Sequence, residues 1–496
     1  MVAFLSSLKA TLVTKILSFI LTTMTLRLIP PSLLGATAIK LELLLSTCLF
    51  LGREPIRLAC CQSHARHSHS QSIHSLSYFA IPVTTSISLL LLFFTSPSLS
   101  QISTTTILYC LSTIIESTAE PQIIKMMIGG DISLKSYAEG VAVAVKSLSL
   151  YLMLTVGSNL FSDQLVSFGV SQILYSLTFV AFVNRTIFFP MPLPLPSFSP
   201  IHPKLLYLTF SFFLQSILKH VLTEGDKLVL TYLSSSYDAG IYAMASSYGS
   251  IVSRLLFQPL EENGRLIFST NSSPFTTLTK TCLYLGLTFS TFGSTYCYIV
   301  LKVLAGAEYF TPAGVSALQA YCVYTAFLAV NGMAEAFMYA HLETAKDVRF
   351  SSLVLLVVGG GFAGLAWLLV ERLGWGVEGV IVANCVTMGV RGLVAMDFSI
   401  RVLVRESNNK KLKYSEVVGD LAPDWAVLVL WGVAFAGINL WGRGRDWVAI
   451  LTHFGVGVGL FSILMVAVWV REGRWRRDIK VLVSGSTSTS RETKLE

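Results

Sequence analysis

Apolar stretches long enough to cross a bilayer recur along nearly the whole chain, and such stretches leave few ways to fold. Inside roughly 30 Å of hydrocarbon each backbone N–H and C=O must be satisfied without water, which selects helices. Only 13% of the 496 residues are charged and 53% are hydrophobic. A water-soluble surface calls for about 25% charged residues. The chain is therefore expected to be an all-α polytopic membrane protein. Spans fall at 4–29, 33–52, 74–95, 103–128, 134–156, 163–189, 204–233, 238–268, 275–304, 313–341, 348–370, 376–404, 425–442 and 447–470, about 14 transmembrane helices.

Lys and Arg in the short loops set the orientation. Twenty-one fall after even-numbered spans or in the tail, against five (Arg27, Lys302, Arg372, Arg443, Arg445) on the other side. Both termini are therefore expected in the cytosol. The net charge of +8 mostly reflects this bias and does not point to nucleic acid. The sequons at Asn184 and Asn271 fall on the cytosolic side and should stay bare. The first apolar segment lacks a cleavage signature and reads as a signal anchor.

The Pro-rich stretch 190–203 cannot continue a helix and reads as an extended cytosolic linker. It separates an N-lobe (1–189, spans 1–6) from a C-lobe (204–404, spans 7–12). A basic cytosolic loop (405–424), spans 13 and 14 (425–470) and a cytosolic tail (471–496) follow. Six spans per lobe make the two lobes a parallel repeat about an axis along the membrane normal. The lobes share a motif: Gly35 leads to Glu54-Pro-Ile-Arg57-Leu58, and Gly240 leads to Glu262-Asn-Gly-Arg265-Leu266. Ala119-Glu120 is echoed by Ala334-Glu335, each with a polar residue one turn earlier, Glu116 and Asn331.

Ionisable groups at bilayer depth cost at least about 2.5–3.5 kcal/mol on insertion scales, so each needs a partner, a wet cavity or a task. Span seven is densest, with Gln215, Lys219, His220, Glu224, Asp226 and Lys227; Gly225 permits a local helix break there. Glu139 and Lys146 lie two turns apart on span five, Glu42 and Lys40 lie on span two, and Arg254 and Arg391 sit within spans eight and twelve. Glu224, Asp226, Lys227, His220, Glu139 and Glu116 form an expected intramembrane charge network. Arg53, Glu54, Arg57, Glu261 and Glu262 read as helix-end charges of a cytosolic gate. Gly359-x-Gly361-x-x-Gly364 matches a dinucleotide fingerprint formally but lies in an apolar span without a preceding strand. Close helix packing is the expectation there. The His-rich stretch 63–75 reads as a solvated loop and Cys60-Cys61 as packing cysteines, with palmitoylation the sharper alternative. No metal site, catalytic triad or phosphate loop is visible, so neither an enzyme nor a cofactor is expected.

Several motifs resemble the eukaryotic Rft proteins: Arg53-Glu54-Pro-Ile-Arg57-Leu-Ala, Glu116-Ser-Thr-Ala-Glu120-Pro121 and Leu222-Thr-Glu-Gly-Asp-Lys227. The stretch from Gly249 through Arg254 to Glu262, Asn331-Gly-Met-Ala-Glu335 and Asn384 to Arg391 also resemble them. The resemblance covers about residues 5–405. It implies the multidrug/oligosaccharidyl-lipid/polysaccharide exporter fold: two six-helix lobes around a central cavity plus two C-terminal helices. It also implies the endoplasmic reticulum membrane, N-glycosylation, and movement of a dolichol-diphosphate-linked heptasaccharide from the cytosolic to the lumenal leaflet. On this reading Arg254, Lys219 and Lys146 neutralise the diphosphate, while Gln215, Glu120, Asn331 and Glu335 hydrogen-bond the sugars. The implied partners are the dolichol-linked lipid, membrane lipids and other glycosylation proteins. Two rival functions fit the same sequence: a non-transporting accessory protein of glycosylation, and an ion-coupled multidrug-type antiporter of the same fold.

Overall fold

The structure is a computed structural model that describes residues 19–65, 70–95, 103–129, 133–156, 163–184, 200–269, 271–342, 345–406, 413–440 and 447–484. Most of the first expected span and of the Pro-rich linker, and the centre of the His-rich loop, lie outside these residues. The described residues are helical with short turns and contain no strand. After a helical end over 19–26 come α1 (31–65), α2 (70–95, with a turn at Phe79), α3 (Thr104–Ser117), α4 (Glu120–Gly129), α5 (Ser133–Thr155) and α6 (Gln164–Val183). Then follow α7 (Pro203–Thr223), α8 (Gly225–Leu233), α9 (236–268), α10 (Phe275–Ala305), α11 (Pro312–Ala340), α12 (345–372) and α13 (Gly376–Glu406). The C-terminal elements are α14 (Tyr414–Leu421), α15 (Trp425–Leu440), α16 (Trp447–Arg471) and α17 (Gly473–Ser484).

Among the described residues, eleven helical segments are long and apolar enough to cross a membrane. Of the remaining expected spans, the eighth is continuous as α9 but carries Asp238, Arg254, Glu261, Glu262 and Arg265. The fourth, expected as one helix, is two. Pro121 has no N–H to give to Ser117, and its ring crowds that carbonyl, so the chain turns at Thr118–Ala119 before α4 begins. Span seven also breaks: Glu224 leaves helical geometry (φ −102°, ψ 16°) between α7 and α8.

By packing, the chain divides into two compact units, residues 1–244 with 304–309, and residues 245–303 with 310–496. The boundary falls within α9, so α7 and α8 pack in the first unit beside α1. Lipid tails are as apolar as leucine, so helices associate in membranes through close contact and hydrogen bonds rather than through hydrophobic burial. In the first unit Gly52 of α1 lies against Thr84, where a Cβ would stand 2.1 Å from its hydroxyl. Gly35 and Gly240, the leading glycines of the repeated motif, meet reciprocally. A Cβ on Gly35 would stand 2.0 Å from the Ser236 carbonyl oxygen, and one on Gly240 would stand 1.8 Å from that of Pro31. Each glycine thus faces the carbonyl four residues before the other, the reciprocity expected of a two-fold contact.

In the second unit Gly286 packs on Ala326, and Gly249 on the Tyr321 ring. Helices α15 and α16 dock on α10 through Tyr284, Val427, Trp431, Leu464 and Val468. A hydrogen bond from Trp431 Nε1 to Thr291 (2.9 Å) adds to this contact. At Gly361 and Gly364 a Cβ would meet nothing within 4 Å, so the expected close packing at the fingerprint-like glycines is absent. They lie on an open helix face. Cys60 is fully buried beside Ile73 and Leu76, which leaves Cys61 as the more accessible thiol of the pair.

Candidate functional site: a charged cavity in the first unit

Helices α1, α3, α5, α6 and α7 surround a cavity of about 590 Å³. Its wall carries five carboxylates (Glu42, Glu54, Glu116, Glu139, Glu224) and three fixed cations (Arg53, Arg57, Lys146). The arginines come from the middle of α1: the helix continues to Ala65, so the Glu54–Arg57 motif does not sit at a helix end as expected.

Both arginines turn toward the α3–α4 turn. Arg57 forms a two-pronged bond with Glu120, Nε to Oε2 at 2.9 Å and Nη2 to Oε1 at 2.6 Å. Arg53 Nη1 bridges Glu116 at 2.9 Å and Glu120 at 3.3 Å. Glu120 is fully buried. A buried carboxylate persists ionised only with such compensation, and the guanidinium fork matches it in geometry. The break before α4 places Glu120 at the first turn of a helix, where a negative charge is further favoured.

Other cations are held more loosely. Lys146 Nζ lies 3.8 Å from Glu42, and Lys219 Nζ lies 3.3 Å from Glu54 and over the Phe50 ring. His220 bonds Thr47 (2.8 Å) and stacks on Phe50. Lys227 pairs with Glu224 at 2.8 Å, Asp226 accepts from Tyr242 at 2.6 Å, and Glu139 pairs with Lys135 at 3.0 Å. Among the described residues that line this cavity, two acceptors stay unsatisfied. Glu116 Oε2 and Gln172 Oε1 are buried without a partner, and both residues line the cavity. Buried acceptors in this condition cost about 1–3 kcal/mol each unless a donor reaches them.

The structure thus gathers Arg53, Glu54, Arg57, Glu116, Glu139, Lys146, His220 and Glu224 around one cavity. Glu120 lies behind its wall, Lys219 reaches its edge through Glu54, and Gln215 is exposed on α7. Gln172, Tyr175 and Phe50 were not singled out from the sequence. Gln172 had a signal, since it is the one side-chain amide in the mostly apolar run 165–183.

The remaining candidates lie in the second unit. Glu335 is gripped two-pronged by Arg391, at 2.9 Å through both nitrogens. Asn331 Nδ2 faces Met388 while its Oδ1 is buried without a partner. The Glu261 carboxylate stands against Gly332, where a Cβ would be 1.7 Å from Oε1, and Glu262 is exposed. Arg254 folds back along its own helix to the carbonyls of Ser247 (3.0 Å) and Ser250. It does so at a π-helical turn, Ser253–Phe257, where the widened backbone loosens the regular ladder. The sequence echo holds in part: each lobe's Ala-Glu glutamate is clamped by an arginine. The clamp comes from α1 for Glu120 but from α13, not from Arg265, for Glu335.

Helical membrane architecture with this arrangement belongs to a known fold class. The chain is similar to a solved structure of the lipid II flippase MurJ in an inward closed conformation, with a TM-score of 0.69 at 13% identity. That match covers 94% of this chain and 99% of the other. It is also similar to an inward-facing multidrug resistance MATE family transporter of the MOP superfamily, with TM-score 0.57 at 12% identity over 80% of this chain and 96% of the other. The fold is therefore of the MurJ and MATE type. Residues 4–481 match the family model described as Rft protein, and the chain belongs to the Rft family. The mouse Man(5)GlcNAc(2)-PP-dolichol translocation protein RFT1 is 29% identical over 514 aligned residues, covering 92% of each chain. The Xenopus tropicalis protein of the same name is 28% identical, covering 89% of each chain.

Proposed function

We propose that this protein moves a dolichol-diphosphate-linked oligosaccharide, Man5GlcNAc2 on dolichol diphosphate, from the cytosolic to the lumenal leaflet of the endoplasmic reticulum membrane for N-glycosylation. The observation that carries this reading is the hydrophilic cavity among membrane-spanning helices with two acceptors awaiting donors, Glu116 Oε2 and Gln172 Oε1. Sugar hydroxyls are donors of the kind these acceptors lack. The wall has more carboxylates than cations, which suits a hydroxylated group better than a phosphate. The diphosphate is assigned to the loosely held Lys146 and Lys219, whose partners can exchange. Glu120 and Glu335 have both oxygens engaged by arginines and serve to hold the helices. Both termini lie in the cytosol; Glu54 is assigned to the cytosolic mouth of the first unit and Glu261 and Glu262 to that of the second, with Arg254 stabilising the turn of α9.

The test is functional replacement in cells that lack the endogenous protein. Gln172→Leu, at normal protein level, removes one substrate hydrogen bond. That loss is worth about 1.4 kcal/mol, so oligosaccharide-lipid handling should fall roughly tenfold. Unchanged glycosylation would take the cavity out of the substrate path. An accessory role is favoured by a different observation, namely that each cation lining the cavity already faces a carboxylate within 4 Å. Its signature is normal leaflet exchange in membranes lacking the protein, with glycosylation still impaired.

A further inference from the structure

A separate cavity, about 760 Å³, lies in the second unit, away from the repeat motifs. It is enclosed by the start of α10, the α14–α15 connection and the corner where α16 turns into α17. Its floor is fixed. Lys280 Nζ donates to Glu472 Oε2 at 2.6 Å, and Tyr284 Oη and the Asp424 N–H donate to Glu472 Oε1. Helix α17 is held in place by Arg474 on Asp420 (2.6 Å), Trp475 Nε1 on Thr281 (3.0 Å) and Thr277 on Asp478 (3.3 Å). The acidic lining residues are thus engaged: Asp420, Asp478 and Glu472 by those bonds, and Asp424 by capping α15 at the Ala426 N–H.

The cations are not all engaged. Arg471 and Arg477 line the cavity, are exposed, and make no hydrogen bond or ion pair among the described residues. Arg476 has only the Trp469 carbonyl and ring. Glu472 and Asp420 are neutralised by Lys280 and Arg474, and Arg471, Arg476 and Arg477 outnumber the two carboxylates that have only neutral donors, Asp424 and Asp478, so the balance at the mouth is positive. Arg471 is the last residue of a membrane-crossing helix, which places the mouth at headgroup level. Trp425, Trp469 and Trp475 cluster at the same end, where amphipathic rings favour the interface. Helix α17 intersperses Arg474, Arg476, Arg477 and Lys480 with Trp475 and Ile479, the pattern of a helix lying along that interface.

We propose that this cavity is a binding site for the phosphate-bearing headgroup of an anionic phospholipid, with Arg471 and Arg477 as its anion ligands. A membrane lipid is favoured over a soluble phosphate because the cavity opens where a transmembrane helix ends and an amphipathic one begins. Bound lipid fixes α17, and through Trp475 and Glu472 the docked helices α15 and α16.

The test uses purified full-length protein in nanodiscs of phosphatidylcholine with or without phosphatidylinositol, reading retained lipid by native mass spectrometry. Wild-type protein is expected to retain phosphatidylinositol over phosphatidylcholine. At about 1 kcal/mol per basic residue, retention should fall about fivefold in Arg471→Gln and roughly thirtyfold in the double Arg471→Gln/Arg477→Gln variant. The double Lys variant, which keeps the charges, should recover most of the preference. Arg372→Gln, which removes an exposed arginine outside this cavity, should leave retention unchanged. Equal retention of both lipids by wild type, or an unchanged preference in the double Gln variant, would overturn the proposal. Inorganic phosphate displacing phosphatidylinositol at similar concentration would equally overturn it, since the site would then be one for soluble anions.

Discussion

At the scale of single residues, the strongest constraint is the pairing of Arg57 with the fully buried Glu120. Removing Arg57 leaves buried Glu120 with only the 3.3 Å contact to Arg53. Arg57→Ala should therefore destabilise, by at most about 3–5 kcal/mol, the cost of a fully broken buried pair. Arg57→Ala combined with Glu120→Gln should recover part of that loss. Thermal unfolding in detergent measures both, and a single variant as stable as wild type would show that the pair is not needed. Glu472 gives a pH prediction outside the membrane spans. Burial alone raises its carboxyl pKa, but hydrogen bonds from Lys280, Tyr284 and the Asp424 N–H, with the Lys280 charge, outweigh this and leave it below the ordinary value of 4.5. A carboxyl with a lowered folded-state pKa contributes stability that is complete above the unfolded value and is lost as pH falls through the folded one. Amide protection over 473–484, taken relative to the intrinsic exchange rate at each pH, should therefore fall below about pH 4.5, and Glu472→Gln should abolish that dependence. Protection factors in wild type that do not change with pH would contradict it.

At the scale of elements, the reciprocal approach of Gly35 and Gly240 is a contact of backbone on backbone, with no flexible side chain to give way. Gly35→Ala or Gly240→Ala should force α1 and the start of α9 apart. The cost is at least the ~1–3 kcal/mol of overpacking, and a cysteine placed at buried Thr37 should become reactive to a thiol reagent. Gly361→Ala, facing open space, should change stability little. An equal effect of the two substitutions would deny the crossing. The sequence revealed the repeated glycines and glutamates because charge and glycine stand out in apolar helices. It did not reveal which neighbours they meet. Arg53 and Arg57 looked like helix-end charges because the apolar run stops at Gly52, yet the helix persists to Ala65 by packing Ile56, Ala59 and Cys60 into the core. The break before Glu120 was legible in Pro121, and the one at Glu224 in Gly225. Partner choice was not: Glu335 takes Arg391 of α13, although Arg265 holds the motif position equivalent to Arg57.

At the scale of the whole molecule, hydropathy alone is enough to call for a helical membrane protein, because span length follows from bilayer thickness. Which helices pack as a unit was not legible, since lipid-facing and protein-facing leucines read alike in sequence. Helices α7 and α8 accordingly pack with the first unit although the Pro-rich stretch precedes them. The central claim is that the folded protein itself carries an oligosaccharide-lipid headgroup across the bilayer, with its sugars at Glu116 and Gln172. The most direct measurement is leaflet exchange of labelled dolichol-diphosphate oligosaccharide in vesicles reconstituted with the purified protein, compared with empty vesicles and with vesicles containing Gln172→Leu. The account predicts exchange well above empty vesicles for wild type and roughly tenfold slower exchange for the variant. Exchange no faster than in empty vesicles, from protein shown to be folded, would contradict it.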